Sequence, residues 1–105
     1  MSLIINTPKP PYYAVIFTSE KIDEDKGYDA MSNRMVELVS KQDGFLGFES
    51  SRENLGITIS YWIDEKSIQN WKANLEHQEA QKIGKELWYK KYKVRVAKVE
   101  RDYEF

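Results

Sequence analysis

The chain contains no cysteine, and that absence removes three kinds of chemistry at once. It forms no disulfides, offers no thiolate nucleophile and cannot build a zinc site from sulfur ligands. Histidine is nearly as scarce, since His77 stands alone. One chain therefore supplies no multi-histidine metal centre, although a symmetric dimer can bring two copies together. No apolar run approaches the roughly 20 residues that a membrane helix needs, and the N-terminus lacks a charged segment followed by a long apolar one. Charge of one sign is not in excess either: 16 basic against 17 acidic residues leave a formal charge of -1, unlike a domain built to hold nucleic acid. The 105 residues suffice for one domain with one modest core. A soluble, cytoplasmic protein is the expectation from this composition.

What is present is organised around Gly56 to Trp88, which holds all three tryptophans and the histidine. Ile57, Ile59, Tyr61 and Ile63 alternate with Thr58, Ser60 and Trp62, a period of two that predicts a strand. Asp64 is a good N-cap and Glu65 suits the positive end of a helix dipole, so a helix is predicted to follow at once. Ile68, Trp71 and Leu75 mark its buried face. Ala80, Ile83 and Leu87 continue a helical spacing after a bend near Asn74 to His77.

Residues Met1 to Pro11 end in three prolines within four positions and read as an extended arm, with Ile4 and Ile5 either packed or loose. The single domain is then expected over residues 12–105. Tyr12 to Glu20 alternates as the first strand and is apolar on both faces. Tyr28, Met31, Met35 and Leu38, with Val39 beside them, define the buried stripe of a helix from about Tyr28 to Lys41. Gly44 is placed to close that helix in the left-handed conformation. Phe45 to Arg52 is the second strand, joined to the third by a hairpin through Glu53 to Gly56. Tyr92 to Tyr103 is the fourth, where Tyr92, Val94 and Val96 share one parity and Ala97 and Val99 the other. Either a bulge switches the faces or the strand is apolar on both sides.

The order β-α-β-β-α-β predicts an α+β, ferredoxin-like fold with a four-stranded antiparallel sheet. Helices cover one face of such a sheet. The first strand is apolar on the other face too, so something must cover it, and a second copy is the simplest candidate. A homodimer is expected.

With this order of elements, Asp43-Gly44-Phe45-Leu46-Gly47-Phe48-Glu49-Ser50, Ser60-Tyr61-Trp62-Ile63-Asp64, then Asn70-Trp71 and His77 resemble the antibiotic biosynthesis monooxygenase (ABM) family. The likeness covers about Tyr12 to Val99. It implies a dimeric α+β barrel with a pocket in each subunit between sheet and helices. Members of the family include cofactor-independent oxygenases of polycyclic phenols, haem-degrading enzymes and proteins with no known reaction. The haem-degrading branch uses an Asn on the first strand, a Trp on the second helix and a His about three turns later. Here Trp71 fits the Trp position, but the His position falls at Gln81 and the first strand has no Asn. Glutamine is a poor haem ligand, so haem degradation is disfavoured.

The resemblance therefore implies oxygenation of a small, electron-rich aromatic, a quinol or polyketide-like molecule, with no metal, flavin or other cofactor. Trp71, Trp62 and Phe17 are expected to line the substrate pocket, His77 to accept a proton and Asn74 to orient an oxygen. Each has a structural reading as well: Trp71 as core with Ile68 and Leu75, His77 as a cap or dimer contact, Asn74 as ordinary helix-end chemistry. A rival from another class is a non-catalytic small-molecule-binding or stress-associated dimer, and a third reading is an interaction domain that fills its own pocket. Arg52 can clamp an acidic substrate, whereas Arg95 and Arg101 alternate with valines as solvent-facing strand residues. Lys82, Lys85, Lys90, Lys91 and Lys93, interleaved with Trp88, Tyr89 and Tyr92, have the residue types of a single-strand nucleic-acid site. The neutral net charge and Glu86 favour a solvated helix end there, and no nucleic-acid or membrane partner is expected.

Overall fold

The structure, a computed structural model, describes residues 3–22, 28–77 and 89–105. The helical piece expected around Ala80, Ile83 and Leu87 lies outside the described residues, as do Gln81, Lys82, Lys85, Glu86 and Trp88.

Among the described residues six elements follow in the expected order: β1 (Tyr12–Lys21), α1 (Tyr28–Val39), β2 (Phe45–Arg52), β3 (Gly56–Trp62), α2 (Glu65–His77) and β4 (Tyr89–Val99). The four strands form one antiparallel sheet in the order β2-β3-β1-β4. This is the ferredoxin-like arrangement, with the first strand central because each half of the chain pairs back onto it. Among the described residues no helix is long and apolar enough to cross a membrane.

α1 turns Met35, Leu38 and Val39 inward, and Val39 is buried. It stops two residues before Lys41 because its last turn tightens: Lys41 N–H donates to the Leu38 carbonyl and Gln42 N–H to that of Val39. Gly44 then takes a φ of +82°, the left-handed closure expected of it. It is also a point of close approach, since a Cβ there would lie 2.1 Å from Ser67 Oγ at the start of α2. Ile63 N–H donates to the Gly44 carbonyl at 2.8 Å, tying the α1–β2 turn to the end of β3.

β4 is displaced toward the N-terminus of the segment predicted for it, and its partner explains why. Val99 pairs with Tyr12, and Pro10 and Pro11 just before Tyr12 cannot continue the ladder, so residues 100–105 leave the sheet. At the other end Glu20 pairs with Lys91 and Lys21 with Tyr89, and the shift in register places a bulge there. From Lys91 to Val99 the register is unbroken, so the middle of β4 is apolar on both sides with no switch of face.

Directly paired residues share a face, which sorts the sheet into two. Tyr13, Val15, Phe17 and Ser19 share one face with Trp62, Ser60, Phe45, Phe48, Val94 and Val96, and α2 lies on this side. The opposite face carries Tyr12, Ala14, Ile16, Ile57, Ile59, Tyr61, Ala97 and Val99. The N-terminal arm lies over one corner of that opposite face. Ile5 N–H donates to Glu49 Oε2 at 3.1 Å, and the Ile5 side chain sits where Gly47 has none. Tyr12 and Ala14 are buried on this side, while Ile57 remains 39% exposed.

Candidate functional site

The site develops from the β3–α2 junction. Asp64 Oδ1 accepts the Ser67 N–H at 2.8 Å, the N-cap that starts α2 where β3 ends. The Ser67 side chain, and then this backbone bond, hold the Asp64 carboxyl below the usual carboxylate range. From that fixed start, the inward stripe of α2 is Ser67, Ile68, Trp71, Asn74 and Leu75, while Asn70 is exposed.

Trp71 stacks on Trp62, with ring centroids 6.4 Å apart and 29° between planes. Trp62 is fully buried, meets Phe45 edge-on at 5.3 Å, and donates from Nε1 to Ser60 Oγ at 2.9 Å. It therefore presents no surface to a ligand in this conformation and acts as the floor beneath Trp71. One turn along α2 from Trp71, the Asn74 side-chain oxygen is buried and has no hydrogen-bond partner among the described residues. His77 is the last residue of α2, and its side chain lies outside what the structure describes.

Phe17 shares the sheet face of Trp62 but not its neighbourhood. It pairs with Thr58, four residues along β3 from Trp62, which is about 13 Å of strand. Its neighbours are Tyr92, stacked at 5.3 Å, and Tyr89, edge-on at 5.4 Å. Between the two aromatic groups Val94 and Val96 are 47% and 53% exposed on the same face. The candidate residues thus occupy one face but two ends of it, Trp62, Trp71 and Asn74 at one and Phe17 at the other.

The sequence reading raised one further group and missed another. Arg52, raised there only as a possible acid clamp, donates to Ser19 Oγ and lies over the Tyr89 ring, 6.0 Å from its centroid. On the opposite face, Tyr61 donates to Glu49 Oε1 at 2.5 Å and Tyr12 to Asp102 Oδ2 at 2.5 Å. Burial, then the adjacent carboxylate, pushes the Tyr61 hydroxyl up to about 12. Burial and Asp102 raise Tyr12 in the same way. Strand parity would have placed Tyr61 and Glu49 on one face, but Asp102 is past the end of β4 and carries no such signal. An open groove of about 610 Å³ lies between Lys9, Pro10 and Glu100 to Tyr103, formed by the two chain ends, and none of the candidate residues lines it.

A ferredoxin-like sheet with an aromatic, partly open helix-side face defines the class. Residues 11–83 match the family model for antibiotic biosynthesis monooxygenase, and the chain belongs to that family. It is 50% identical over 103 residues to the uncharacterized protein YqjZ of Bacillus subtilis (strain 168), a match covering 96% of this chain and 90% of that protein. Among solved structures it is similar to a mutant of SnoaB, a cofactor-independent oxygenase from Streptomyces nogalater. The TM-score is 0.73 at 13% identity, over 87% of this chain and 95% of that one. A conserved protein from Methanosarcina mazei Go1 gives a TM-score of 0.72 at 14% identity, over 83% and 91% of the two chains. At these identities the likeness is one of fold.

Proposed function

We propose that this chain is a monooxygenase that oxidises a small, electron-rich aromatic, a quinol or polyketide-like molecule, without a metal, flavin or other cofactor, and that it acts as a homodimer in the cytoplasm. Family membership and the fold shared with SnoaB support the reaction class. The observation that carries the site is the buried Asn74 oxygen without a described partner, one turn from the exposed side of the Trp62–Trp71 stack. Leaving such an acceptor unsatisfied costs about 1–3 kcal/mol, which a ligand hydroxyl donating to it would offset.

In this reading Trp71 is the wall against which the substrate ring stacks, Trp62 holds Trp71 in place, and Phe17 closes the far end. His77 takes a proton from the substrate hydroxyl while Asn74 orients an oxygen. The anion gives one electron to dioxygen, and the resulting pair of radicals joins through a new C–O bond. The protonated peroxide then loses water to leave a carbonyl. One oxygen atom ends in product and one in water, and the electrons come from the substrate's own C–H and O–H bonds. The protein's contribution is desolvation, orientation and the proton transfer.

Oxygen uptake by metal-free protein across hydroquinones, anthrones and catechols, with a heat-denatured control, tests the reading. Protein-dependent uptake with one oxidised product per oxygen supports it. The second reading, a binding dimer without chemistry, draws on the complete burial of Trp62, because half of the tryptophan pair then serves as ordinary core. Saturable ligand binding with no uptake favours that alternative.

A further inference from the structure

The sheet face away from α2 changes in charge from one edge to the other. Alternate residues of β4 point to this side, so that edge carries Lys91, Lys93 and Arg95, all exposed. The β2 edge carries Gly47, Glu49 and Ser51. Between them, β3 contributes Ile57, Ile59 and Tyr61, and β1 contributes Ala14, Ile16 and Thr18. The face is acidic at one edge, basic at the other and mostly apolar in the middle.

The register sorts these residues into rows. Glu49 pairs with Ile59, Ile59 with Ile16 and Ile16 with Arg95, so one row reads Glu, Ile, Ile, Arg from β2 to β4. From the other edge it reads Arg, Ile, Ile, Glu. The row to one side is Ser51, Ile57, Thr18 and Lys93, and the row to the other is Gly47, Tyr61, Ala14 and Ala97.

Two copies of one face meet about a two-fold axis, and two directions of that axis keep the strands of both sheets aligned. An axis across the strands stacks β4 on β4, basic edge against basic edge. An axis along the strands, between β3 and β1, exchanges the edges and leaves each row at its own height. Glu49 then faces the partner's Arg95, and Ile59 faces the partner's Ile16. Facing sheets stand about 10 Å apart, a gap that an arginine and a glutamate side chain span together. Glu49 is half-buried and held in place by the Tyr61 hydroxyl on Oε1 and the Ile5 N–H on Oε2, and each oxygen keeps a second lone pair for a guanidinium. In the neighbouring row the Ile5 side chain, which sits where Gly47 has none, comes opposite the small side chain of the partner's Ala97.

We infer that a second copy of this chain docks on this face about an axis parallel to the strands, with Glu49 and Arg95 pairing across the interface in both directions. This arrangement rests on the homodimer proposed above and adds its axis and its charged contacts. It leaves α2 and the tryptophan stack on the outer sides of the pair.

Sedimentation of a dilution series of the full chain and of two variants tests it. Glu49→Lys sets a cation against Arg95 twice per dimer, and Arg95→Glu sets an acid against Glu49 twice. Each alone should raise the dimer dissociation constant at least about tenfold. Mixed in equal amounts, the two variants should form a heterodimer within about threefold of the natural affinity, because both of its contacts join opposite charges. The bonds that Glu49→Lys loses to Tyr61 and Ile5 stay lost in the mixture, so recovery reports the contact between copies. A monomeric natural chain overturns the homodimer and this arrangement with it. A natural dimer indifferent to both variants, or weakened by them with no recovery on mixing, overturns the arrangement and leaves the homodimer standing. Should Glu49→Lys fail to fold, exposed Ser51, which faces the partner's Lys93, decides. Ser51→Glu should tighten the dimer and Ser51→Lys weaken it; the reverse order, or no difference, overturns the arrangement.

Discussion

Trp71 lies on Trp62 with 29° between the ring planes, and the two indoles divide the labour of the fold between them. Trp62 is completely enclosed, with its one donor satisfied by Ser60. Trp71 keeps a partly exposed side, so it is both the cover of the core and the first surface a ligand on this face would meet.

The two tryptophans should therefore respond differently to substitution. Trp62→Ala should cost about 3–5 kcal/mol, the range for deleting an enclosed aromatic. Trp71→Phe keeps a ring on the stack and should cost about 1 kcal/mol, with an intact dimer but lowered turnover. Urea melts and oxygen uptake on the same preparations separate the two, and undiminished turnover in Trp71→Phe would remove it from the site.

Asn74 should show the opposite sign in stability and activity. Replacing it by Leu removes a buried acceptor that has no described partner, so the fold should hold or gain up to about 1 kcal/mol while turnover falls. With His77 as the base, the rate should rise with pH and level off as the imidazole loses its proton. His77→Ala should flatten that rise; a pH–rate profile shared by both proteins would rule the assignment out.

On the other face, alkaline titration reads the tyrosine–carboxylate pairs. Tyr61 is pushed up to about 12, so between an unfolded value near 10 and that folded value the native state holds a proton the unfolded chain has lost. Its contribution to stability is complete below about pH 10 and disappears as the pH climbs through the folded value. Tyr61→Phe should lose this alkaline dependence, checked by chemical denaturation at a series of pH values. Tyrosinate absorbance should show Tyr12 and Tyr61 ionising above the ordinary tyrosine value of about 10.

Asp64 should govern an acid limb. Its carboxyl is lowered by the Ser67 bonds, so its stabilisation is present above the ordinary Asp value of about 4 and is lost as the pH falls through the folded one. Asp64→Ala should lower the Tm at neutral pH and abolish that limb. Asp64→Asn, another good cap, should keep most of the Tm without the pH dependence.

The sheet face opposite α2 should be where two copies meet. Ile57, 39% exposed, and Ile59, opposite Glu49, lie on it. Placing lysine at both positions should give a folded monomer by light scattering, since burying two unpaired charges defeats association. A natural chain that is itself monomeric would overturn the dimer.

Much of the fold was legible because its signals are local. The alternation of β1 and β3, the cap at Asp64 and the left-handed turn at Gly44 each depend on residues within a few positions of one another. The extent of β4 was not legible, because it is set by Tyr12 and the prolines before it, some 90 residues away in the chain. Trp71 and Asn74 were found from helical spacing, whereas sharing a face did not bring Phe17 to them: the period of two states which side a residue faces and leaves open how far along the sheet it sits.

The sequence alone thus determined the order of elements, the ferredoxin-like class and the inward placing of Met35, Leu38, Val39, Ile68, Trp71 and Leu75, because hydrophobic period, caps and turns act through neighbouring residues. Only the tertiary structure decided which strands end where, that the arm covers Gly47 and Glu49, and that Arg52 reaches Ser19 across Gly56. These contacts join segments from 33 to 44 residues apart, and no local preference encodes a distance between them.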